Sequence, residues 1–146
     1  MPRSGPFWRA DLLLVVIGFC AALVVPRWID GQAALEWTRY HAQVASVAQG
    51  RGARRAAEQT GHAAARAIER AAPLPLARQA ARLALDVGRG LEPTDPQAAS
   101  AIYGEVEAAL RRVSGSPIRG WGLDKLWAEA REQAEALTGK RTEPIP

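Results

Sequence analysis

The feature that most constrains this chain is an uncharged apolar stretch near its amino terminus. Residues 12–25 read LLLVVIGFCAALVV, which alone is shorter than the roughly 20 residues that a membrane-spanning helix needs. Trp8 and Trp28 flank the stretch, and at ~1.5 Å per helical residue they lie about 30 Å apart. Because this length matches the hydrocarbon thickness of a bilayer, we predict a transmembrane anchor over residues 1–30.

The residues at the two ends of this segment are typical of a membrane surface. Tryptophan and tyrosine rings favour the interface, and arginine side chains are long enough to reach the headgroups. We therefore assign the lipid interface to Phe7, Trp8, Arg9, Arg27 and Trp28.

Two other interpretations of the segment are open. A secretory signal has a basic start, an apolar stretch and a small-x-small cleavage site, and residues 31–33 fit that site loosely. Against cleavage, Arg27 and Trp28 lie between the apolar stretch and this site. The other interpretation is a buried helix of a water-soluble core.

The charges beside the segment bear on its orientation. Arg3, Arg9 and the amino terminus precede it, whereas Arg27 and Arg39 follow it. Since Lys and Arg accumulate on the cytoplasmic side, the balance slightly favours a cytoplasmic amino terminus. The excess of arginine over lysine, with abundant alanine, indicates a GC-rich bacterial genome. In a bacterial inner membrane, this orientation places the rest of the chain in the periplasm, although the basic stretch at 51–55 favours the reverse.

The rest of the chain is predicted to be all-α. Alanine is abundant, and apolar residues recur three and four positions apart between glycines and prolines. Alanine buries little area, so the predicted core is thin and depends on a membrane, an oligomer or a partner. We divide the chain into the anchor at 1–30, an alanine- and arginine-rich helical stalk at 31–72, a three-helix bundle at 73–139 and a flexible tail at 140–146.

Glycines and prolines are predicted to set the helix ends. In the stalk, Gly50 and Gly52 weaken the helix, and Gly61 interrupts the next one. The first bundle helix is predicted over residues 76–87, with its stop at Gly88 and Gly90.

The clearest local signal marks the second bundle helix. Thr94 or Asp95 is a suitable N-cap and Pro96 suits the first helical position. Its predicted buried stripe is Ala99, Ile102, Tyr103, Val106, Leu110 and Val113. It closes at Ser114, and a last helix with Leu123, Leu126, Trp127, Ala130, Ala134 and Leu137 in register runs to Gly139.

One face of the stalk carries its larger apolar side chains. Trp37, Tyr40, Val44 and Val47 are three and four residues apart, which places them on one side of a helix. This face has two open interpretations, contact with a later helix of the same chain or contact with a partner. As a coiled-coil seam it is barely two heptads long.

Four residues are candidates for partner binding. Aromatic and arginine side chains are favoured anchors of interfaces, so we name Trp37 and Tyr40 on this face. Arg119 and Trp121 lie in a predicted glycine-rich loop and are the other two. For Trp121, the alternative is a loop aromatic that folds over the helical core.

The sequence contains no pattern that commits it to a reaction. His41 and His62 are the only histidines and Cys20 is the only cysteine, so no metal-ligand set is apparent. The serines lack the setting of an activated nucleophile, and no phosphate-binding loop is present. We predict no catalytic residue, cofactor, metal ion or small-molecule substrate.

These features lead to three hypotheses of function. The first is a non-catalytic accessory, scaffold or assembly subunit of a membrane complex, which binds the bilayer and other subunits or a second copy of itself. The alternative is a membrane-tethered adaptor for anionic lipid or nucleic acid, suggested by the arginines of residues 51–82. No DNA-binding motif accompanies them, so we predict no specific nucleic-acid partner. The third is an enzyme whose site forms only with another chain.

Overall fold

The computed structural model describes residues 7–48, 50–70, 74–114 and 122–142. These residues form five α-helices and no strand: α1 (Phe7–Val47), α2 (Arg51–Arg70), α3 (Leu74–Leu91), α4 (Pro96–Ser114) and α5 (Asp124–Thr142). The predicted all-α fold, a long apolar amino-terminal helix followed by a small bundle, is confirmed.

Helix α1 extends well beyond the bundle. Its 41 residues correspond to about 60 Å, and they continue through Pro26 without a break. Residues 10–30, the anchor segment, are all exposed, whereas the second half of α1 packs against α2 and α3. The helix is long and apolar enough to cross a membrane, and none of its most apolar 18-residue window is buried. It is therefore a candidate membrane span.

The five helices run alternately up and down. Side-chain contacts join them at the end of the bundle beside the anchor segment: Asp30 with Arg70 at 3.9 Å, Glu69 with Arg112 at 2.9 Å, and Arg78 Nη2 donating to the Gly122 carbonyl at 3.2 Å. We call this the anchor end. Helices α1, α3 and α5 run away from it, and α2 and α4 return to the same end.

The core is made mostly of small side chains. More than half of the buried apolar residues in the described part of the chain are alanines. Tyr103, Leu35, Ile68, Leu85 and Ile102 are the largest of the fully buried side chains. Alanine faces allow helix backbones to approach closely, so these few large side chains suffice to fill the space between the helices.

The predicted features of α4 are confirmed. The Ala98 amide donates a hydrogen bond of 3.0 Å to Asp95 Oδ1, so Asp95 is the N-cap. Pro96 is the first helical residue and Ser114 the last. All six residues of the predicted stripe are buried. The local signals of this helix agree with its tertiary environment.

Two glycines have roles other than those predicted. Gly61 does not interrupt α2: it is buried against α4, and an added Cβ would lie 3.3 Å from Ile102 Cα. Gly88 does not end α3, which continues to Leu91. Gly88 instead leaves space for the ring of Tyr103, which packs against its Cα. An added Cβ at Gly88 would lie 2.8 Å from Tyr103 Cζ. Both residues permit close helix contact, whereas Gly50, at φ 58°, and Gly122, at φ 80°, lie in helix connections.

The predicted stalk and distal bundle pack on one another. Helix α2 contacts both α3 and α4, and Leu35 of α1 belongs to the same apolar core as the side chains of α3 to α5. The predicted boundary at residues 72–73 lies outside the described residues. Helix α5 continues through Gly139 to Thr142, three residues into the predicted tail.

The two glycines of α3 offer a matched test of this packing. We expect Gly88→Ala to lower the free energy of unfolding by about 1–2 kcal/mol, because overpacking of the Tyr103 ring exceeds the gain in helix propensity. Gly90 is exposed with nothing within 4 Å of an added Cβ, so Gly90→Ala should be neutral or stabilising by up to about 1 kcal/mol. Urea unfolding followed by circular dichroism in mild detergent measures both, and equal stability of the two variants would refute the packing role.

Candidate functional site

The exposed large apolar side chains identify the surface to consider. In the described part of the chain, every such side chain belongs to α1. They form two groups: the anchor segment, from Leu12 to Ile29, and a second group at Trp37, Tyr40 and Val47, where α1 has already joined the bundle. A span that ends near Trp28 does not explain the exposure of the second group, which lies beyond it on α1.

The second group lies on the face of α1 that points away from the core. Trp37, Tyr40 and Val47 are 59%, 57% and 75% exposed, and Val44 between them is partly exposed. We call these four residues the aromatic face. The interpretation that Trp37 and Tyr40 pack against a later helix of the same chain is therefore wrong.

A second stripe of α1 occupies the core instead. Gly31, Leu35, Thr38, Ala42 and Ala45 are buried and have the same spacing of three and four residues. Apart from Leu35, these side chains are small, and they let α1 approach the alanines of α2 more closely than tryptophan and tyrosine would. Thr38 satisfies its buried hydroxyl by donating to the Ala34 carbonyl at 2.8 Å.

Three rings cluster at the anchor-proximal part of the aromatic face. Trp37 stacks on His41 with centroids 5.6 Å apart, and Tyr40 meets both rings edge-on, at 5.9 Å from Trp37 and 5.2 Å from His41. Such pairs add to the energy of area burial. The cluster lies on the part of α1 that packs against α2 and α3, and rings already in contact lose less entropy on binding than separate ones.

The other predicted site residues fall in different parts of the chain. Arg27 and Trp28 are exposed on the anchor segment, next to the bundle, as an interface position requires. The side chains of Phe7, Trp8 and Arg9 lie outside those that the structure describes, and so do Arg119 and Trp121. The structure thus brings Trp37 and Tyr40 together, whereas Trp28 lies about 13 Å earlier along α1.

The two histidines contact neighbouring side chains of the bundle. Among the described residues, no group of three or more His, Cys, Asp or Glu side chains could hold a metal ion. His62 faces Glu105 at 3.5 Å, on the surface between α2 and α4. The remaining histidine, His41, is the one that stacks on Trp37.

Tyr103 is the buried residue with the most perturbed ionisation. Burial raises the pKa of its hydroxyl, and the 2.6 Å hydrogen bond that it donates to Glu92 raises it further. Perturbed pKa values often mark functional sites, but this residue is fully buried between α3 and α4. The pair therefore ties the α3–α4 connection to the core.

The arginines suggested as a basic patch do not form one surface. Arg51, Arg54 and Arg55 lie at the end of the bundle far from the anchor segment, and Arg54 pairs with Glu58 at 3.5 Å. Arg66 and Arg70 lie about four turns of α2 away, at the anchor end. This separation argues against one continuous track for a nucleic-acid backbone.

One groove lies at the far end of the bundle. It has a volume of about 880 Å³ and is lined mainly by small side chains from the end of α1, the start of α2 and the end of α3. Arg51, Arg54, Asp86 and Asp95 are its charged residues. No arrangement of these groups resembles a nucleophile with its base or a metal-ligand set.

Comparison of the chain with protein-family models, with curated proteins and with solved structures finds no match. The function must therefore be argued from the anchor segment, the aromatic face and the charges around them.

Proposed function

We propose that this protein is a membrane-anchored, non-catalytic accessory or scaffold subunit. It holds a small helical bundle at the surface of a bacterial inner membrane and binds other subunits, or a second copy of itself, through the aromatic face. The observation that carries the proposal is that all exposed large apolar side chains of the described chain lie on α1, in two separate groups. One group suits lipid, and the other suits a protein surface.

The geometry of α1 supports permanent anchoring. The anchor segment and the bundle share one uninterrupted helix, so the span and the folded domain form a single rigid unit. The loose cleavage site of the signal-peptide interpretation lies inside this helix, and Gly31 within it is buried. Retention of the segment therefore agrees with the packing, whereas cleavage there would cut into the core stripe of α1.

Two arginines placed inside the anchor segment test the span. Each charge costs about 2.5–3.5 kcal/mol at the centre of a spanning helix. We therefore expect Val16→Arg with Phe19→Arg to move the protein from the membrane pellet to the supernatant after an alkaline carbonate wash.

The control for this experiment uses the same helix. Tyr40→Arg with Val47→Arg adds two arginines at exposed positions outside the span, and this variant should stay in the pellet. The anchor is refuted if carbonate extracts the wild-type protein, or if the intact mass shows that the mature chain begins after residue 33.

The orientation that we propose has a cytoplasmic amino terminus and a periplasmic bundle. The positive-inside rule counts charges within about 15–20 residues of the span. Arg51, Arg54 and Arg55, which favour the reverse, lie more than 20 residues beyond Trp28 in sequence, at the far end of the bundle.

Labelling from one side tests the orientation. Ala136 is exposed on α5, so a cysteine placed there by Ala136→Cys, with Cys20→Ser, should react with a membrane-impermeant maleimide in intact spheroplasts. Labelling only after lysis would place the bundle in the cytoplasm.

Binding through the aromatic face gives a separate expectation. After extraction from native membranes in mild detergent, the wild-type protein should migrate as an assembly larger than the monomer. Trp37→Ala with Tyr40→Ala should shift it to the monomer size, because large aromatic side chains dominate interface energies at about 2 kcal/mol or more each.

The exposure of Trp37 and Tyr40 provides a control for loss of folding. Trp37 and Tyr40 are exposed, so their removal should leave the unfolding transition in place. Leu35→Ala, two residues away and buried, should lower the free energy of unfolding by about 2–5 kcal/mol.

A second control concerns the assembly itself: Lys125→Ala with Glu132→Ala, exposed on α5, should keep the assembly. A monomeric wild-type protein, or an assembly that survives loss of both rings, would refute this role.

A further inference from the structure

A second groove lies between α1 and α2 at the anchor end. It has a volume of about 390 Å³. The side chains with polar or aromatic character that line it are Asp30, Trp37 and His41 from α1 and Gln59, His62, Arg66 and Arg70 from α2. The groove thus combines two guanidinium groups, two imidazoles, an indole and a carboxamide with a single carboxylate.

The end of the groove nearest the anchor segment lies at headgroup depth. Asp30 follows Trp28 by two residues, about 3 Å along the helix axis, and its contact with Arg70 sets Arg70 at the same level. Arg66 is one turn of α2 further from the membrane, about 6 Å higher. The headgroup layer adds about 5–8 Å to each side of the hydrocarbon core, so both guanidinium groups lie in or next to this layer.

The charges of the groove are available for a ligand. Arg66 makes no hydrogen bond or ion pair with any other residue in the described part of the chain. Arg70 has one partner, Asp30, at 3.9 Å with both side chains more than half exposed. An exposed pair of this length is weak. A phosphate group, two oxygens of which accept parallel hydrogen bonds from one guanidinium, would compete well with it.

The surface below the groove suits acyl chains. On the same face of α1, at steps of four, three and four residues before Asp30, come Pro26, Leu23 and Phe19, all exposed in the anchor segment. A lipid with its phosphate between Arg66 and Arg70 would lay its chains along this apolar track.

We propose that this groove binds the phosphate of an anionic phospholipid from the leaflet that the bundle faces. Arg66 and Arg70 bind the phosphate oxygens, and Leu23 and Phe19 contact the chains. This inference rests on the membrane anchoring proposed above. It adds a specific lipid partner to the anchor, and it fixes how the bundle is rotated and held against the membrane.

Native mass spectrometry of the full chain tests the proposal. The protein, released from uncharged detergent micelles containing equal amounts of phosphatidylglycerol and phosphatidylcholine, should retain phosphatidylglycerol preferentially. Arg66→Gln should reduce this preference about tenfold, the effect of losing one strong charge-assisted hydrogen bond. Arg55→Gln, an exposed and unpaired arginine on the same helix but at the far end, should keep it. Asp30→Asn should increase it, because the competing carboxylate charge is removed.

The outcomes separate the possible failures. Equal retention of both lipids by the wild-type protein, or equal loss in Arg66→Gln and Arg55→Gln, would overturn the site while leaving the anchor intact. Displacement of the lipid by equimolar sn-glycerol 1-phosphate would mean that the groove binds free phosphate esters and would overturn the lipid assignment. A chain that stays soluble without any detergent would instead refute the anchor itself. The proposal is supported if the wild-type protein retains phosphatidylglycerol preferentially and this preference falls in Arg66→Gln but not in Arg55→Gln.

Discussion

Close approach of helix backbones is the constraint on which this bundle depends. The core has few large side chains, so the helices must meet across alanine and glycine to exclude water. Gly61 brings α2 against the backbone of α4 at Ile102, and Gly88 leaves room for the ring of Tyr103 between α3 and α4. Such contacts tolerate little change of volume, because no flexible side chain at these points can move aside.

This packing decides which face of α1 remains outside. The helix carries two stripes with the same spacing, one small and one aromatic, and the small stripe fits the alanines of α2. Trp37 and Tyr40 are left exposed on the opposite side, where the core gives them no partner. A small core therefore leaves the aromatic face exposed as a direct consequence of how it packs.

The anchor end combines apolar and charged surfaces. The alternating run of the helices returns the end of α2 to the level of Asp30, so Arg66 and Arg70 come next to the base of the anchor segment although some 40 residues separate them in sequence. Arg51 and Arg54, by contrast, are carried to the far end. The direction of the helices thus divides one basic stretch between the two ends of the bundle, and only one of these ends adjoins the anchor segment.

The sequence by itself determined the helical class, the apolar segment and the elements whose signals are local. The N-cap at Asp95, the first position at Pro96 and the buried stripe of α4 all follow from spacing and capping, because these depend on neighbours within a few residues. Only the tertiary structure decided which of the two stripes of α1 is buried. It also gave Gly61 and Gly88 their roles, since a glycine that ends a helix and one that admits a neighbouring helix are identical in sequence. It also brought Arg66 and Arg70 to Trp37, because that juxtaposition depends on how α1 and α2 pack.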